Sequence, residues 1–238
     1  EKAKQVAESL LRSREKLMLT ISHDIRAPLS SIIGYIELLL RRHPDERQQY
    51  YLENMKGSSD HILSLVNDLL DFQRLESGEM EVHSVPFRVP VLFDEIYTSF
   101  QPIAEAKGLR FVLNLKPEET GQVYMGDPIR IRQVVGNLLS NAIKFTEAGR
   151  VVLLVSLQKL SAVHYQLSIT VSDSGPGIPK EEQERIFGEF TRLADTEEVE
   201  GFGLGLSIAQ RITEEHHGRI WVESSGGYNR FTVELPAR

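Results

Sequence analysis

YQLSITVSDSGPGIP, residues 165–179, reads as a strand that runs straight into a glycine-rich loop. Its first nine residues have the aliphatic, aromatic and β-branched composition of a strand. Leu167, Ile169, Val171 and Asp173 share one parity, so their side chains point to one face. Three of the four are apolar and face the core, which sets Asp173 as a carboxylate at the edge of a buried layer. Gly175 and Gly177 follow, and glycine lets a backbone come close to a ligand. A buried carboxylate needs donors, and the exocyclic amine of adenine supplies one. Guanine presents an acceptor at that position instead, at a cost of roughly 1–3 kcal/mol or more. Asp-Ser-Gly-Pro-Gly is also good turn chemistry, so these residues alone leave a purine site and a capped turn both standing.

Two further segments add ligand chemistry. GFGLGLSIAQRI, 201–212, places Gly201, Gly203 and Gly205 before an amphipathic helix. Such glycines bring amide N–H groups up to phosphate oxygens, and the helix start adds a favourable dipole. The spacing is not G-x-G-x-x-G, because residue 206 is leucine, and no Gly-Lys-Ser/Thr follows to make a Walker A loop. NLLSNAIKFT, 137–146, is helical, with Asn137, Asn141 and Lys144 on one face. That stripe is either a solvated surface or a site. Amide oxygens suit Mg²⁺, which keeps waters and substrate phosphates as its other ligands, and Lys144 would balance phosphate charge.

The segments RFVLNLK, RVVLLVSLQ, RIWVESS and NRFTVELP supply more strands, with helical stretches at about 90–107, 128–146, 180–190 and 205–217 between them. Upstream the pattern changes. Residues 1–42 read as one helix carrying Leu17, Ile21, Ile25, Leu29, Ile32, Ile36 and Leu39 at 3–4 spacing. RRHPDER, 41–47, breaks it at Pro44. A second helix then carries Leu52, Met55, Ile62, Leu65, Leu69, Phe72 and Leu75 as far as Gly78. Two such helices cannot cover both apolar faces. Dimerisation into a four-helix bundle covers them; packing of the hairpin on the downstream domain is the alternative. The expected division is a hairpin over 1–80, a linker over 81–86 and an α/β domain over 87–238.

His23 lies in TISHDIRAPLSSIIGY, 20–35, within the first helix. At about 100° per residue, the middle of that helix's apolar arc lies roughly 160° from His23, so the imidazole faces solvent or a docking partner. Taken alone, an exposed histidine is a surface residue. Pro28 removes its own N–H and crowds the carbonyl of Asp24, so a bend beside His23 is expected.

Bulk composition narrows the classes. The 238 residues carry a formal charge of −7, which argues against a nucleic-acid binder. With no cysteine, disulfide scaffolds, thiolate metal sites and cysteine nucleophiles are excluded. The longest apolar runs, such as VVLLV at 151–155, are too short for a bilayer, so no membrane contact is expected of this stretch. The chain starts at Glu1 rather than Met, and a cytoplasmic piece of a longer sensor protein is the expectation.

SHDIRAPL, NLLSNAIKFT, DSGPGIP, IFGEFTRL and GFGLGLSIA closely resemble, in order, the H, N, G1, F and G2 boxes of the sensor histidine kinases, and the resemblance covers nearly the whole chain. It implies an α+β, two-domain protein: an antiparallel helical hairpin that forms a dimeric four-helix bundle, then an α/β sandwich of the GHKL ATPase type, a mixed sheet with helices on one face. It implies ATP and Mg²⁺ as cofactors, His23 as phosphoacceptor, Asp24 as its acidic neighbour and Asn141 as the Mg²⁺ ligand. By the same resemblance Asn137 and Lys144 contact phosphates or bound water, and Asp173 binds adenine. Gly175, Gly177, Gly201, Gly203 and Gly205 are the nucleotide-loop glycines, Arg192 contacts phosphate, and the acidic run DTEEVE, 195–200, falls at a lid. Autophosphorylation of His23 and transfer to an aspartate of a response-regulator receiver domain would follow. Ala27 departs from the family, which often carries Thr or Asn there to position water, so weak phosphatase activity is expected.

Overall fold

The computed structural model describes residues 24–77, 82–116, 123–161, 165–191 and 203–237. The readings made for His23, Arg192, Gly201 and the run 195–200 lie outside them, as does the helix stop read at Gly78. The chain divides into two compact units, Glu1–Met80 and Glu81–Arg238. No helix among the described residues is long and apolar enough to cross a membrane.

In the first unit, residues 24–40 form helix α1, which continues through Pro28 without interruption. The bend expected beside the histidine turns on residue 23 as well and lies partly outside the described segment. His43 takes a left-handed backbone, φ 53°, just before Pro44 ends any continuation. Helix α2, Glu46–Glu76, then starts with a reciprocal cap. Gln48 N–H donates to Asp45 Oδ1 at 2.8 Å and Asp45 N–H to Gln48 Oε1 at 3.1 Å, which satisfies two orphan amides at the helix start. Arg26 reaches across to Asn67 Oδ1 at 2.8 Å.

Leu29 and Ile36 of α1 and Val66 and Leu70 of α2 are buried. Ile25, Ile32 and Leu39 are not, and Ile32 is 46% exposed although the helical arc had set it inside. Their seven-residue spacing keeps them in one line along α1, and Met55 and Ile62 form a second exposed pair at the same spacing on α2. A single hairpin therefore buries one stripe and leaves another wet, as two helices must. Sedimentation velocity is expected to find the chain as a dimer and the Ile62→Glu variant as a monomer. An unchanged sedimentation coefficient in the variant would refute the stripe as the self-association face.

The second unit has a five-stranded sheet in the order β2-β4-β5-β7-β6 and a two-stranded sheet of β1 and β3. The small sheet pairs β1, Val85–Phe87, antiparallel with β3, Tyr124–Gly126, so Val85 and Pro86 of the stretch read as linker are strand residues of this unit. Neither three-residue strand is visible as a periodic pattern. In the large sheet β2, Arg110–Leu115, runs parallel to β4, Arg150–Lys159. Antiparallel pairing links β4 to β5, Tyr165–Asp173, then β5 to β7, Tyr228–Ala237, and β7 to β6, Arg219–Ser225. Gly226 and Gly227, at φ 63° and 79°, join β6 to β7 in a two-residue turn whose double left-handed backbone suits glycine.

Three helices complete the unit. These are α3, Val89–Ala106, α4, Pro128–Phe145, and α5, Gly205–Glu215. Helix α4 packs on β4, β5, α3 and α5. Val151, Leu153 and Val155 of β4, Leu167, Ile169 and Val171 of β5, and Phe231, Val233 and Leu235 of β7 are buried, one parity in each strand. Asp127 caps α4 by accepting from Arg130 N–H at 3.1 Å and also takes His83 N–H at 3.0 Å. At the other end Lys107 Nζ donates to the carbonyls of Ile143 and Lys144 at 2.8 and 2.7 Å, a cation on the negative pole of the helix. The helix expected over 180–190 is instead a series of turns with one 3₁₀ turn, Arg185–Phe187. Pro179 and Gly188 leave too short a run between them for a stable α-helix.

Candidate functional site

Asp173 ends β5 on its buried face and is 3% exposed. Val151 of β4 and Asn229 of β7 lie directly opposite it on either side, and Ser224 of β6 lies opposite Asn229. Four adjacent strands thus bring Val151, Asp173, Asn229 and Ser224 into one row across the sheet. Asp173 Oδ1 accepts from Gly175 N–H and from Asn229 Nδ2, both at 2.9 Å. Among the described residues no hydrogen bond in good geometry reaches Oδ2, although the Thr146 hydroxyl stands close enough to the carboxylate to act on it. Asn229 Nδ2 also donates to the carbonyl of Pro176 at 2.8 Å, which fastens the glycine loop to β7. The loop is fastened a second time where Ile178 N–H donates to Ser224 Oγ at 2.8 Å.

Thr146, the residue after α4, is fully buried on the same side, and its hydroxyl has no hydrogen bond in good geometry among the described residues. A Cβ on Gly175 would stand 3.2 Å from that hydroxyl, 2.8 Å from Asp173 Oδ1 and 3.2 Å from the carbonyl of Phe145. Glycine is therefore required there by close approach. Burial pushes the Asp173 carboxyl above its ordinary pKa, while Asn229, Gly175 and Thr146 pull it part of the way back.

The second glycine segment enters α5. Gly203 has φ 72°, and a Cβ on it would come within 2.6 Å of the Thr191 carbonyl, so no other residue fits without a backbone shift. Asn137 Nδ2 donates to the carbonyl of Gly205 at 2.9 Å, which ties α4 to the first residue of α5. Asn137 is thus already engaged in holding the glycine segment. Asn141, one turn on, is half-buried and its side chain makes no hydrogen bond to the described residues. Lys144 is half-buried, with Nζ 5.6 Å from the centre of the Phe145 ring. Among the described residues no group of three or more His, Cys, Asp or Glu is placed to hold a metal ion. A divalent cation beside Asn141 would have to draw most of its ligands from a bound phosphate and water.

Asp173, Gly175, Gly177, Asn137, Asn141, Lys144, Gly203 and Gly205 all lie in the second unit on or beside α4, the end of β5 and the start of α5. Asp24 and Ala27 are exposed on α1 in the first unit. The residues that sequence reading missed are Asn229, Ser224 and Thr146. A signal for Asn229 was present: it shares its parity with Phe231, Val233 and Leu235, the same pattern that marked Asp173. Ser224 shows its role only through the pairing of β6 with β7.

Comparison with known proteins gives a consistent result. Residues 126–238 match the family model of the histidine kinase-, DNA gyrase B- and HSP90-like ATPases, and residues 13–78 match that of the His Kinase A (phospho-acceptor) domain. The signal transduction histidine-protein kinase BarA of Escherichia coli (strain K12) is 36% identical over 221 residues, which is 92% of this chain and 24% of BarA. The chain thus spans about a quarter of the length of such curated relatives. Full-length ShkA in complex with AMPPNP has a TM-score of 0.72 and 31% identity, over 92% of this chain and 45% of ShkA. The nucleotide-free catalytic domain of histidine kinase ThkA has a TM-score of 0.53 and 31% identity, over 66% of this chain and 98% of that domain.

Asp173 gives a pH signature without any ligand. Its folded pKa is raised, so the stability that its neutral form contributes is complete below the unfolded pKa and lost as pH rises through the folded one. Asp173→Asn stays neutral throughout. The nucleotide-free variant is therefore expected to melt above wild type at pH 8, with the difference closing as pH falls towards 4. A difference in melting temperature that does not change with pH would contradict the buried, charge-penalised carboxylate.

Proposed function

The chain belongs to the two-component sensor histidine kinases, and on that footing we propose that it binds ATP with Mg²⁺ in its second unit and transfers the γ-phosphoryl group to His23. The observation that carries this reading is the incompletely satisfied carboxylate: Asp173 Oδ1 takes two protein donors, and Oδ2 takes none in good geometry from the described residues. The exocyclic amine of adenine is the donor that completes it. Gly203 and Gly205 bring amides at the start of α5 to the phosphates, and the role proposed for Gly201 and Arg192 is further phosphate contact. Lys144 adds positive charge, and Asn137 holds Gly205 in place. The Asn141 amide oxygen, with no competing bond to the described residues, would serve as the protein's ligand to a Mg²⁺ that arrives with the nucleotide. Neutralisation of charge on the transferring group is the chemistry such a metal would supply.

His23 acts as a neutral imidazole. The Asp24 carboxylate holds one ring N–H, and the other nitrogen attacks the γ-phosphorus. An N–P bond forms as the bond to the ADP oxygen breaks, ADP leaves, and the ring proton is shared with Asp24. The phosphoryl group then passes to an aspartate of a receiver domain. ShkA is described in complex with an ATP analogue, which supports nucleotide binding by a fold of this kind. ATP as substrate fits a cytoplasmic location, and the acidic balance of the chain fits protein partners rather than nucleic acid.

Incubation with γ-labelled ATP and Mg²⁺ tests the reading. Acid-labile, alkali-stable label is expected on wild type and is expected to vanish in His23→Gln and in Asp173→Asn. Label that survives His23→Gln would mean that the acceptor lies elsewhere.

Ala27 lies one turn beyond His23 in sequence, is exposed and carries no polar group. Wild type is accordingly a weak phosphatase of its regulator. Ala27→Thr is expected to speed loss of phosphate from the phosphorylated regulator by about tenfold, with autophosphorylation unchanged. Equal dephosphorylation rates for the two proteins would remove Ala27 from the account.

A further inference from the structure

We propose that Asn229, oriented by Ser224, is a positioning residue for recognition of the nucleotide base: it holds Asp173 so that one carboxylate oxygen is spent and the other is presented to the amine of adenine. The inference rests on the reading of Asp173 as the acceptor of that amine.

The geometry leaves Asn229 no other use. Its two Nδ2 hydrogens are taken by Asp173 Oδ1 at 2.9 Å and the Pro176 carbonyl at 2.8 Å. Its Oδ1 accepts from Ser224 Oγ at 2.8 Å. With both donors spent, the amide is not available to a ligand. It is 4% exposed, so solvent does not compete for these bonds.

An asparagine amide has two orientations of nearly equal shape, and only one serves here. Flipped, its oxygen would face Asp173 Oδ1 and the Pro176 carbonyl, acceptor against acceptor in a buried place. The Pro176 carbonyl, which can only accept, fixes the choice. Ser224, whose Oγ accepts from Ile178 N–H at 2.8 Å, then holds the amide in that orientation by donating to Asn229 Oδ1. The result is a directed series: Ile178 N–H to Ser224, Ser224 to Asn229, Asn229 to Asp173. It starts in the glycine-rich loop and ends on the strand residue that precedes it, so loop conformation and carboxylate orientation are set together. The cross-strand register supports this, because Asp173 faces Asn229 and Asn229 faces Ser224 in consecutive strand pairs.

Two consequences concern the base. A charge-assisted bond from Asn229 favours the ionised form of Asp173, and an ionised carboxylate only accepts. Adenine, which offers an N–H there, is accepted, and a base that offers a lone pair or a bare C–H gains nothing. Asn229 thus contributes to discrimination while touching no substrate.

The test uses the 238-residue chain and two nucleotides, ATP and purine riboside 5′-triphosphate, which lacks the amine. Dissociation constants are measured for wild type, Asn229→Ala, Ser224→Ala and Asp173→Asn. Wild type is expected to prefer ATP by about tenfold or more. In Asn229→Ala that preference is expected to fall to about threefold or less through weaker ATP binding alone, with the amine-free nucleotide bound within about twofold of wild type. Ser224→Ala, a smaller change at a partly exposed position, is expected to move the preference in the same direction by a smaller factor. Equal weakening of both nucleotides in the two variants would reduce Asn229 to a structural residue and overturn the proposal, as would an unaltered preference in both. Asp173→Asn separates this from the underlying reading. If it keeps the wild-type preference, Asp173 does not read the amine and both fall. If it loses the preference while Asn229→Ala and Ser224→Ala keep it, the positioning role alone is wrong.

Discussion

A carboxylate can be buried only where donors surround it, and the second unit is arranged around that constraint at Asp173. Removing an ionised oxygen pair from water costs several kcal/mol unless hydrogen bonds replace the lost hydration. The chain meets most of that demand with Gly175 N–H and Asn229 Nδ2 on one oxygen. The remainder is left open, and the raised pKa of the group records the incomplete compensation. Such a site is costly to the empty protein and favourable to a ligand that brings the missing donor. On the proposed adenine reading, affinity for the base would be stored in the fold as an unsatisfied valence.

The same economy applies to the glycine segments. Gly175 and Gly203 are needed by the protein itself, one pressed against a carboxylate oxygen and the phenylalanine carbonyl, the other against the Thr191 carbonyl. The close backbone packing that excludes a Cβ also holds the loop amides in fixed places. Asn137 adds a side-chain tie from α4 to the start of α5. Positions that look permissive in sequence are tightly specified in space.

Much of this is legible in the sequence. Parity along β5 fixed the facing of Asp173, and the strands of the large sheet followed from their β-branched runs. The less legible parts have physical reasons. Val85–Phe87 and Tyr124–Gly126 are too short to show alternation. The turns around Arg185–Phe187 have helical composition but lie between a proline and a glycine. On α1 the apolar arc is wider than the face that one hairpin buries, so periodicity could not separate the stripe of Leu29 and Ile36 from that of Ile25, Ile32 and Leu39. Asn229 was readable by the parity argument that found Asp173, but a lone polar residue among core positions attracts notice only once its strand is placed next to β5. Ser224 depended on register, which a sequence does not display.

The hairpin that joins β6 to β7 has a bearing on evolution that its small size conceals. Two glycines, both left-handed, make the shortest turn that reverses the chain, and Ser225 pairs with Tyr228 directly across it. Asn229 is the next residue. Side chains alternate faces with every position, so a one-residue slip of β7 against its neighbours would carry Asn229 from the covered face of the sheet to the opposite one. An indel at residues 226–227 that produced such a slip would disconnect the carboxylate from its partner while leaving every residue of the row present in the sequence.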